Sequence, residues 1–232
     1  ASGVFELLPV LEARLKKAHV NDLLRWRARR RIAPPAPVAP RIPAQRVIAI
    51  GASTGGTDVL ADLLADLPSG MPGIVIVQHM PEGFTRKFAE RLDQLSAMDV
   101  KEAEDGDLIR QGNVLVAPAG YQLRVVRHGG GYAVRVQERA RVSGHCPSVD
   151  VLLSSMAKSA GMHGIGVVLT GMGKDGAAGL LEMRQAGART LAQDEESSVV
   201  FGMPAEANRL GAAEKLVSAS VLSRELARAA FV

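Results

Sequence analysis

Short apolar runs alternate with amphipathic segments along most of the chain, from about residue 46 onward. Runs of three to five apolar residues predict buried strands, whereas apolar positions that recur three and four residues apart predict helices that bury one face. The pattern predicts strands at 47–50, 74–77, 114–116, 165–169 and 189–192, and helices at 59–67, 84–95, 149–160 and 177–186. This alternation favours an α/β fold, a doubly wound and mostly parallel sheet with helices on both faces.

One stretch departs from that alternation. Residues 123–126 and 133–136 lie on either side of Gly129, Gly130 and Gly131, and each is a short, strand-like segment. Two such segments around a glycine-rich turn predict a β-hairpin. We therefore expect an antiparallel hairpin added to the parallel sheet.

The first 45 residues follow a different pattern. Apolar residues at helical spacing within 1–32 predict an amphipathic tail, and five prolines from Pro34 to Pro43 predict a stiff linker over 33–45. Residues 1–46 carry ten basic and three acidic side chains, a net +7, whereas the other 18 basic and 21 acidic groups give −3. Such an arm could bind nucleic acid or an acidic surface. We favour a solvated helix end and linker, and expect no nucleic-acid partner, because no nucleic-acid module is recognisable there.

Composition narrows the class of protein. With 232 residues, of which 47% are apolar and 22% charged, the chain is unlike a wholly disordered protein, a collagen or a coiled-coil rod. No apolar run approaches the roughly 18 residues of a membrane-spanning helix, and the N-terminus lacks a secretory-signal pattern. Cys146 is the single cysteine, which excludes an intrachain disulfide and favours a cytoplasmic location.

Candidate chemistry lies directly after three of the predicted strands. Ser53 follows the first strand, His79 follows the second, and Asp175 lies in the loop after the strand at 165–169. Ligands of open α/β sheets bind at the carboxyl ends of the strands, so we expect these three side chains at one edge. They are the residue types of a hydrolytic triad.

The glycine-rich turn at 51–56 admits three interpretations. It differs from the dinucleotide fingerprint, which needs glycine where Ser53 stands. Gly51 and Gly56 have the spacing of a phosphate loop, but Thr57 occupies the lysine position. It does match Gly-x-Ser-x-Gly, which places a serine on a sharp turn between strand and helix. A nucleophile is the leading interpretation, with anion binding and a purely structural turn as alternatives.

Each of the other two residues has a structural alternative. His79 could be a hydrogen-bonded residue at the sheet edge, and Asp175 could be a helix cap. An imidazole titrates at about pH 6.5, which suits a general base. The order serine, histidine, aspartate differs from the serine, acid, histidine order of α/β-hydrolases, and no histidine follows Asp175. An α/β-hydrolase would need an earlier acid and His128, His145 or His163. We expect no metal site, because no cysteine–histidine cluster has zinc spacing.

Several segments carry motifs that occur together in a fixed order. They are AIGASTGGT at 49–57, VQHMP at 77–81 and LTGMGKDGA at 169–177, with further segments at 100–103, 146–150, 192–195 and 199–204. Together these segments resemble the bacterial chemotaxis protein-glutamate methylesterase family. Agreement of so many motifs in order is far more specific than any one of them. The resemblance assigns 46–232 as a methylesterase catalytic domain.

The resemblance implies a cytoplasmic serine hydrolase that demethylates glutamate methyl esters on the cytoplasmic helices of chemoreceptors and deamidates receptor glutamines. The family's nucleophile, base and orienting acid fall on Ser53, His79 and Asp175, with Thr54 and Met172 as oxyanion or active-site neighbours. No cofactor or metal is implied.

The family usually carries a regulatory receiver domain, and the residues before Arg46 are too few for one. Phosphorylation control is therefore in doubt for this chain. Two other classes of protein remain open. One is a non-catalytic α/β module that binds an anion or nucleotide, and the other is an interaction protein that acts through its basic arm.

Overall fold

The computed structural model describes residues 46–137 and 139–231. The predicted helical tail at 1–32 and the linker at 33–45 lie outside these residues and stay predictions. The strands are β1 (Val47–Ala52), β2 (Gly73–Gln78), β3 (Asp99–Glu102), β4 (Leu108–Ile109), β5 (Asn113–Val116), β6 (Gln122–His128), β7 (Gly131–Gln137), β8 (Gly164–Val168), β9 (Arg189–Gln193) and β10 (Lys215–Val217). The α-helices are α1 (Gly56–Asp66), α2 (Thr85–Leu95), α3 (Val149–Ala160), α4 (Ala177–Gln185), α5 (Met203–Arg209) and α6 (Leu222–Phe231).

The larger sheet has seven strands in the order β10-β9-β8-β1-β2-β5-β3, and all of its pairings are parallel. Strand β1 lies at the centre, where Ile50 pairs with Ile76 of β2 and with Val167 of β8. The strand order reverses there, so the carboxyl end of β1 is the point of the sheet where ligands are expected.

Both faces of the sheet are covered, which explains the continuous apolar runs of its central strands. Successive side chains of a strand point to opposite faces. Val47 and Ala49 of β1 accordingly join the core that contains Leu152 of α3, whereas Ile48 and Ile50 join the core that contains α1, α2 and α6. The expected doubly wound α/β architecture is confirmed.

The expected hairpin is also confirmed. Strands β6 and β7 pair antiparallel, and β4 adds to β7 to complete a second, three-stranded sheet. The hairpin is fastened to α3 by hydrogen bonds of Val125 and Arg127. Ser155 Oγ accepts a hydrogen bond from the Val125 amide and Ser159 Oγ donates one to the Val125 carbonyl, both at 2.8 Å, and Arg127 Nε donates to the Ser159 carbonyl at 2.9 Å. The hairpin thereby packs beside the helix that begins near the candidate site.

Five elements were not expected from the apolar pattern: β3, β4, β10, α5 and α6. Strand β3 forms one edge of the sheet, and three of its four residues are charged, so it lacks the apolar run that marked the central strands. Strands β4 and β10 have two and three residues, too few for a periodic signal. Of the described helices, none is long and apolar enough to span a membrane.

The start of α4 packs closely against α3 at Gly179. A Cβ added at Gly179 would lie 2.8 Å from both the Asp150 carbonyl oxygen and the Leu153 Cβ of α3. Gly179→Ala should therefore push the two helices apart and lower the free energy of unfolding by about 1–3 kcal/mol, the usual cost of overpacking. The control is Gly130→Ala in the hairpin turn, where an added Cβ meets nothing within 4 Å. Equal denaturation midpoints for the two variants would contradict this account of the helix contact.

Candidate active site

The carboxyl ends of β1, β2 and β8 bring the three predicted site residues to one edge of the sheet. Ser53 follows β1, His79 follows β2, and Asp175 belongs to the loop between β8 and α4. His79 and Asp175 are in direct contact. Of the alternative histidines, His163 precedes β8 at the opposite edge, and His128 ends β6 at the hairpin turn.

The turn that holds Ser53 is fixed by backbone hydrogen bonds. The Ser53 amide donates to the Thr170 carbonyl at 3.0 Å, and the Ser53 carbonyl accepts from the Gly56 amide at 2.8 Å. Gly55 has the left-handed backbone, with φ of 80°. Ser53 has an ordinary backbone conformation, because Ser143 is the sole non-glycine with positive φ among the described residues. Gly55 therefore makes the sharp turn.

A second glycine lets the loop after β8 reach Ser53. A Cβ at Gly171 would lie 2.6 Å from the Ser53 Cβ and would also collide with the sulfur of Met203. Only glycine therefore fits between the serine and α5. The same loop places Met172, with 74% of its surface exposed, at the rim of the site.

Asp175 is a buried carboxylate whose two oxygens accept four hydrogen bonds. Oδ2 accepts from His79 Nε2 at 2.8 Å and from the Val149 amide at 2.8 Å. Oδ1 accepts from Ser148 Oγ at 2.8 Å and from the Asp150 amide at 3.0 Å. Burial by itself would raise the pKa of this carboxyl, but the hydrogen bonds outweigh burial and lower the pKa. The carboxylate therefore stays ionised next to the imidazole.

The other nitrogen of His79, Nδ1, is enclosed and has no hydrogen-bond partner among residues 46–137 and 139–231. The ring of His145 stacks on the His79 ring, with centroids 3.9 Å apart and planes 2° from parallel. Burial lowers the pKa of His145, and the neighbouring His79 lowers it further. His145 thus packs against one face of the His79 ring and restricts its rotation.

These groups also form the one described cluster that could offer three ligand atoms to a metal ion, from His79, His145 and Asp175. The lone pairs of an imidazole lie in the plane of its ring. Because the two rings are stacked and nearly parallel, their lone pairs lie in separate parallel planes and do not converge on one point. The arrangement fits an imidazole held for proton transfer better than a metal centre.

Gln78 was missed by the sequence analysis. Its side chain is 2% exposed, and its Nε2 donates to the carbonyls of both Ser53 and His79, at 2.9 and 3.0 Å. One amide group therefore joins the two loops that carry these side chains. A polar residue at the end of an apolar strand was the available signal, but its partners depend on the pairing of β1 with β2.

Thr170 and Gln193 were missed as well. The Thr170 amide donates to Gln193 Oε1 at 2.8 Å, and the Thr170 hydroxyl accepts from the Val200 amide at 2.9 Å. The same hydroxyl lies 3.0 Å from the Thr54 carbonyl, to which it can donate. These bonds fasten the segment before α5 to the serine turn, where Thr54 is exposed at the surface.

Comparisons with known proteins add a family to this geometry. The sequence profile of the CheB methylesterase family matches residues 48–226. A curated relative from Syntrophotalea carbinolica is 53% identical over 94% of this chain, and one from Pseudomonas aeruginosa is 52% identical over 87%. The first is named protein-glutamate methylesterase/protein-glutamine glutaminase, and the second bears the same name with the suffix 2. The chain spans 63% and 59% of the lengths of these relatives.

A solved structure agrees with the sequence comparisons. The crystal structure of the Thermotoga maritima CheB methylesterase catalytic domain superimposes with a TM-score of 0.77 at 37% sequence identity. The match covers 79% of this chain and 97% of the other. The described fold is thus that of a CheB catalytic domain.

The hydrogen bonds to the Asp175 carboxylate should contribute to the stability of the fold. Asp175→Asn places an amide where four donors converge, so the free energy of unfolding at pH 7 should fall by about 3 kcal/mol, as for other broken buried charge networks. A lowered folded-state pKa contributes stability that is present above the unfolded-state pKa and is lost as the pH falls through the folded-state value. The difference between wild type and variant should therefore shrink in acid, below the ordinary aspartate pKa of 3.8.

Urea unfolding at several pH values measures this difference. Asp99→Asn is the control, because Asp99 is an exposed aspartate at the far edge of the sheet. A wild-type advantage over Asp175→Asn that stayed constant from pH 7 to pH 3 would contradict the proposed origin of the stability.

Proposed function

The chain belongs to the CheB methylesterase family, and on that premise we propose that it is a serine hydrolase acting on chemoreceptors. It would demethylate glutamate methyl esters, releasing methanol, and deamidate glutamine side chains. The observation that carries the proposal is the hydrogen bond between His79 and the buried Asp175 at the sheet edge where Ser53 stands. The relatives' printed names supply both reactions.

Ser53 is the proposed nucleophile and His79 the proposed general base. Asp175 accepts a hydrogen bond from Nε2–H, so Nδ1 is the ring nitrogen that would take the proton from Ser53 Oγ as it attacks the ester carbonyl. In the best-known serine triads the two nitrogens have the opposite roles. The chemistry is the same, since one nitrogen accepts the proton while the carboxylate stabilises the resulting imidazolium.

The negative oxygen of the tetrahedral intermediate needs backbone donors. The amides of Ser53 and Gly171 already donate to the carbonyls of Thr170 and Val200, so neither is available. The next amide after Ser53 is that of Thr54, and the next amide after Gly171 is that of Met172. We assign these two as the oxyanion donors, which gives both active-site neighbours a chemical role.

One site can carry out both reactions, because a methyl ester and a primary amide present similar carbonyls. The protonated His79 would pass its proton to the leaving methanol or ammonia. Water activated by the same imidazole would then release the glutamate product from Ser53. Each step uses groups of the chain itself and needs no metal or cofactor.

The substrate would be the cytoplasmic helices of methyl-accepting chemoreceptors, and the enzyme would accordingly act in the cytoplasm. Met172 and Val199 are 74% and 52% exposed at the rim of the site, where they offer apolar contacts to a helical substrate.

The anion-binding alternative lacks support at the glycine turn. A phosphate loop uses a run of backbone amides together with a lysine. Here the Ser53 and Gly56 amides donate to backbone carbonyls, and Thr57 stands where a phosphate loop has lysine.

Methanol release from methyl-labelled chemoreceptor membranes tests the proposal. Ser53→Ala should lower kcat by about 10⁴-fold or more, the usual effect of removing a triad nucleophile. Ser220→Ala is the matched control, because Ser220 is an exposed serine whose hydroxyl contacts only that of Ser218 among the described residues, and its release should equal that of wild type.

Two further readouts separate the parts of the proposal. Hydrolysis of a small methyl ester that depends on Ser53, without release from receptors, would retain the serine hydrolase and reject the receptor substrate. Equal release by wild type and Ser53→Ala would reject the nucleophile. Ammonia release from receptor glutamines should disappear in the same variant if one site performs both reactions.

A further inference from the structure

A small cavity lies next to the active site, where the chain leaves β2. Its volume is about 190 Å³, and Met80 and Pro81, which directly follow His79, line it. Cys146, which directly follows His145, lines it as well. Because the rings of His79 and His145 are stacked with centroids 3.9 Å apart, this cavity adjoins the proposed base.

The charged residues that line the cavity are Arg139, Arg141 and Glu82. The guanidinium of Arg139 is already engaged, since it lies 4.7 Å from the centroid of the Tyr121 ring. Its Nη2 also lies 3.3 and 3.4 Å from the two carboxylate oxygens of Glu82. Arg141 is exposed and forms no ion pair with any residue that the structure describes. The uncompensated positive charge of the cavity therefore belongs to Arg141.

A tight turn holds Arg141 next to His145. The amides and carbonyls of Val142 and His145 pair with each other at 3.0 and 2.9 Å. Between them, Ser143 and Gly144 have φ of 53° and 86°, and positive φ at both central residues is the pattern of a type I′ turn. A non-glycine residue in this conformation is uncommon and tends to occur at functional sites. Arg141 Nη1 donates to the Gly144 carbonyl at 3.1 Å, so the guanidinium folds back onto the turn that carries His145.

Both sides of this turn are fastened to the chain around the start of β6. Gln122 Nε2 donates to the carbonyls of Ala140 and His145, at 2.9 and 3.1 Å. The Gly120 amide donates to the Cys146 carbonyl at 3.0 Å. A loop that is fixed before a ligand arrives loses less conformational entropy on binding, so the backbone that carries Arg141 is organised in advance.

The proposed reaction gives no reason for positive charge at this place. A methyl ester and a primary amide are both neutral, and a cation near an imidazole opposes its protonation. Burial lowers the pKa of His145, and the charges of His79 and Arg141 lower it further. Arginine binds carboxylates through paired, charge-assisted hydrogen bonds. A fixed arginine next to a neutral reacting group is therefore suited to a second, anionic group of the same substrate.

We propose that Arg141 is a specificity residue that binds a carboxylate of the substrate helix, one helical turn from the glutamate ester that reacts at Ser53. The inference rests on the proposed function, because it assumes a helical substrate with its ester at Ser53. Side chains three and four residues apart lie on the same face of a helix. An acidic residue one turn from the ester would thus reach the cavity, where Arg141 donates to its carboxylate while Arg139 stays with Glu82.

Helical peptides that each carry one glutamate methyl ester test this proposal. They contain either glutamate or alanine one helical turn from the ester, placed before it in one pair and after it in the other. The measured quantity is the ratio of kcat/KM for the glutamate peptide to that for the alanine peptide, from methanol release. For wild type the ratio should be about five in one of the pairs, as for a well-formed ion pair near the surface, and should fall as salt is added. A ratio of one in both pairs would overturn the proposal.

Three variants of the cavity should change this ratio in different ways. Arg141→Gln should bring it close to one, whereas Arg141→Lys should keep about half of the preference, because an ammonium retains the charge but not the paired donors. Glu82→Gln should raise the ratio, since it removes the carboxylate that competes for the arginines. If Arg141→Gln lowered kcat/KM for both peptides by the same factor, Arg141 would act on the fold or the chemistry, and the proposal would be wrong.

The matched control is Arg110→Gln. Arg110 is also an exposed arginine, but it precedes β5 and so lies at the amino ends of the parallel strands, opposite the site. The variant removes one positive charge without touching the cavity, and its ratio should equal that of wild type. A fall as large as in Arg141→Gln would mean that net charge alone attracts the acidic peptide, and would overturn the proposal.

Binding without turnover separates this proposal from the proposed function. The same peptides, labelled with a fluorophore, are titrated with Ser53→Ala and with the double variant Ser53→Ala/Arg141→Gln, and Kd is measured by anisotropy. Tighter binding of the glutamate peptide by the first protein and not by the second supports the carboxylate site, even if wild type releases no methanol. Equal Kd values for the glutamate and alanine peptides in Ser53→Ala overturn it, even if wild type hydrolyses both.

Discussion

The carboxylate of Asp175 is buried, ionised and surrounded by donors, and the arrangement of the site depends on satisfying it. An unpaired carboxylate in this position would be very costly. Its four hydrogen bonds come from His79 after β2, from the Ser148 hydroxyl, and from the Val149 and Asp150 amides at the start of α3. Strand β2, helix α3 and the loop after β8 must therefore meet at one point, and this requirement fixes the imidazole as well.

Glycines make that meeting possible. Side chains at Gly51 and Gly176 would collide with Val149, whose amide reaches Asp175, and a side chain at Gly171 would collide with Ser53. The glycines of the two motifs thus have a packing reason that applies whether or not an anion binds. The motif around Ser53 therefore has the glycine spacing of a phosphate loop without its lysine. A phosphate loop and this turn both need glycines where groups approach closely, but here the side chains of Val149 and Ser53 occupy the space next to the glycines.

The sequence predicted what depends on local pattern. Strands β1, β2 and β8 are buried on both faces, so their apolar runs were visible, and the rule about carboxyl ends brought Ser53, His79 and Asp175 to one edge. Edge strand β3 was missed because its outward side chains are charged. Gln78 was missed for another reason: it joins its own loop to the Ser53 carbonyl, which belongs to the loop of a neighbouring strand, and no spacing along the chain encodes that contact.

The orientation of His79 follows from where its acid stands. Asp175 approaches Nε2 from the side of the α3 start, and His145 covers one face of the ring. The ring can then offer only Nδ1 to a neighbouring nucleophile, so the proposed proton transfer must use the nitrogen nearer the backbone. The backbone is itself held, since the His79 amide donates to the Ala52 carbonyl at 3.0 Å and the His79 carbonyl accepts from Gln78. Precision at the base would therefore come from strand pairing and from one buried amide, and Asp175 would supply charge to a ring that the sheet has already placed.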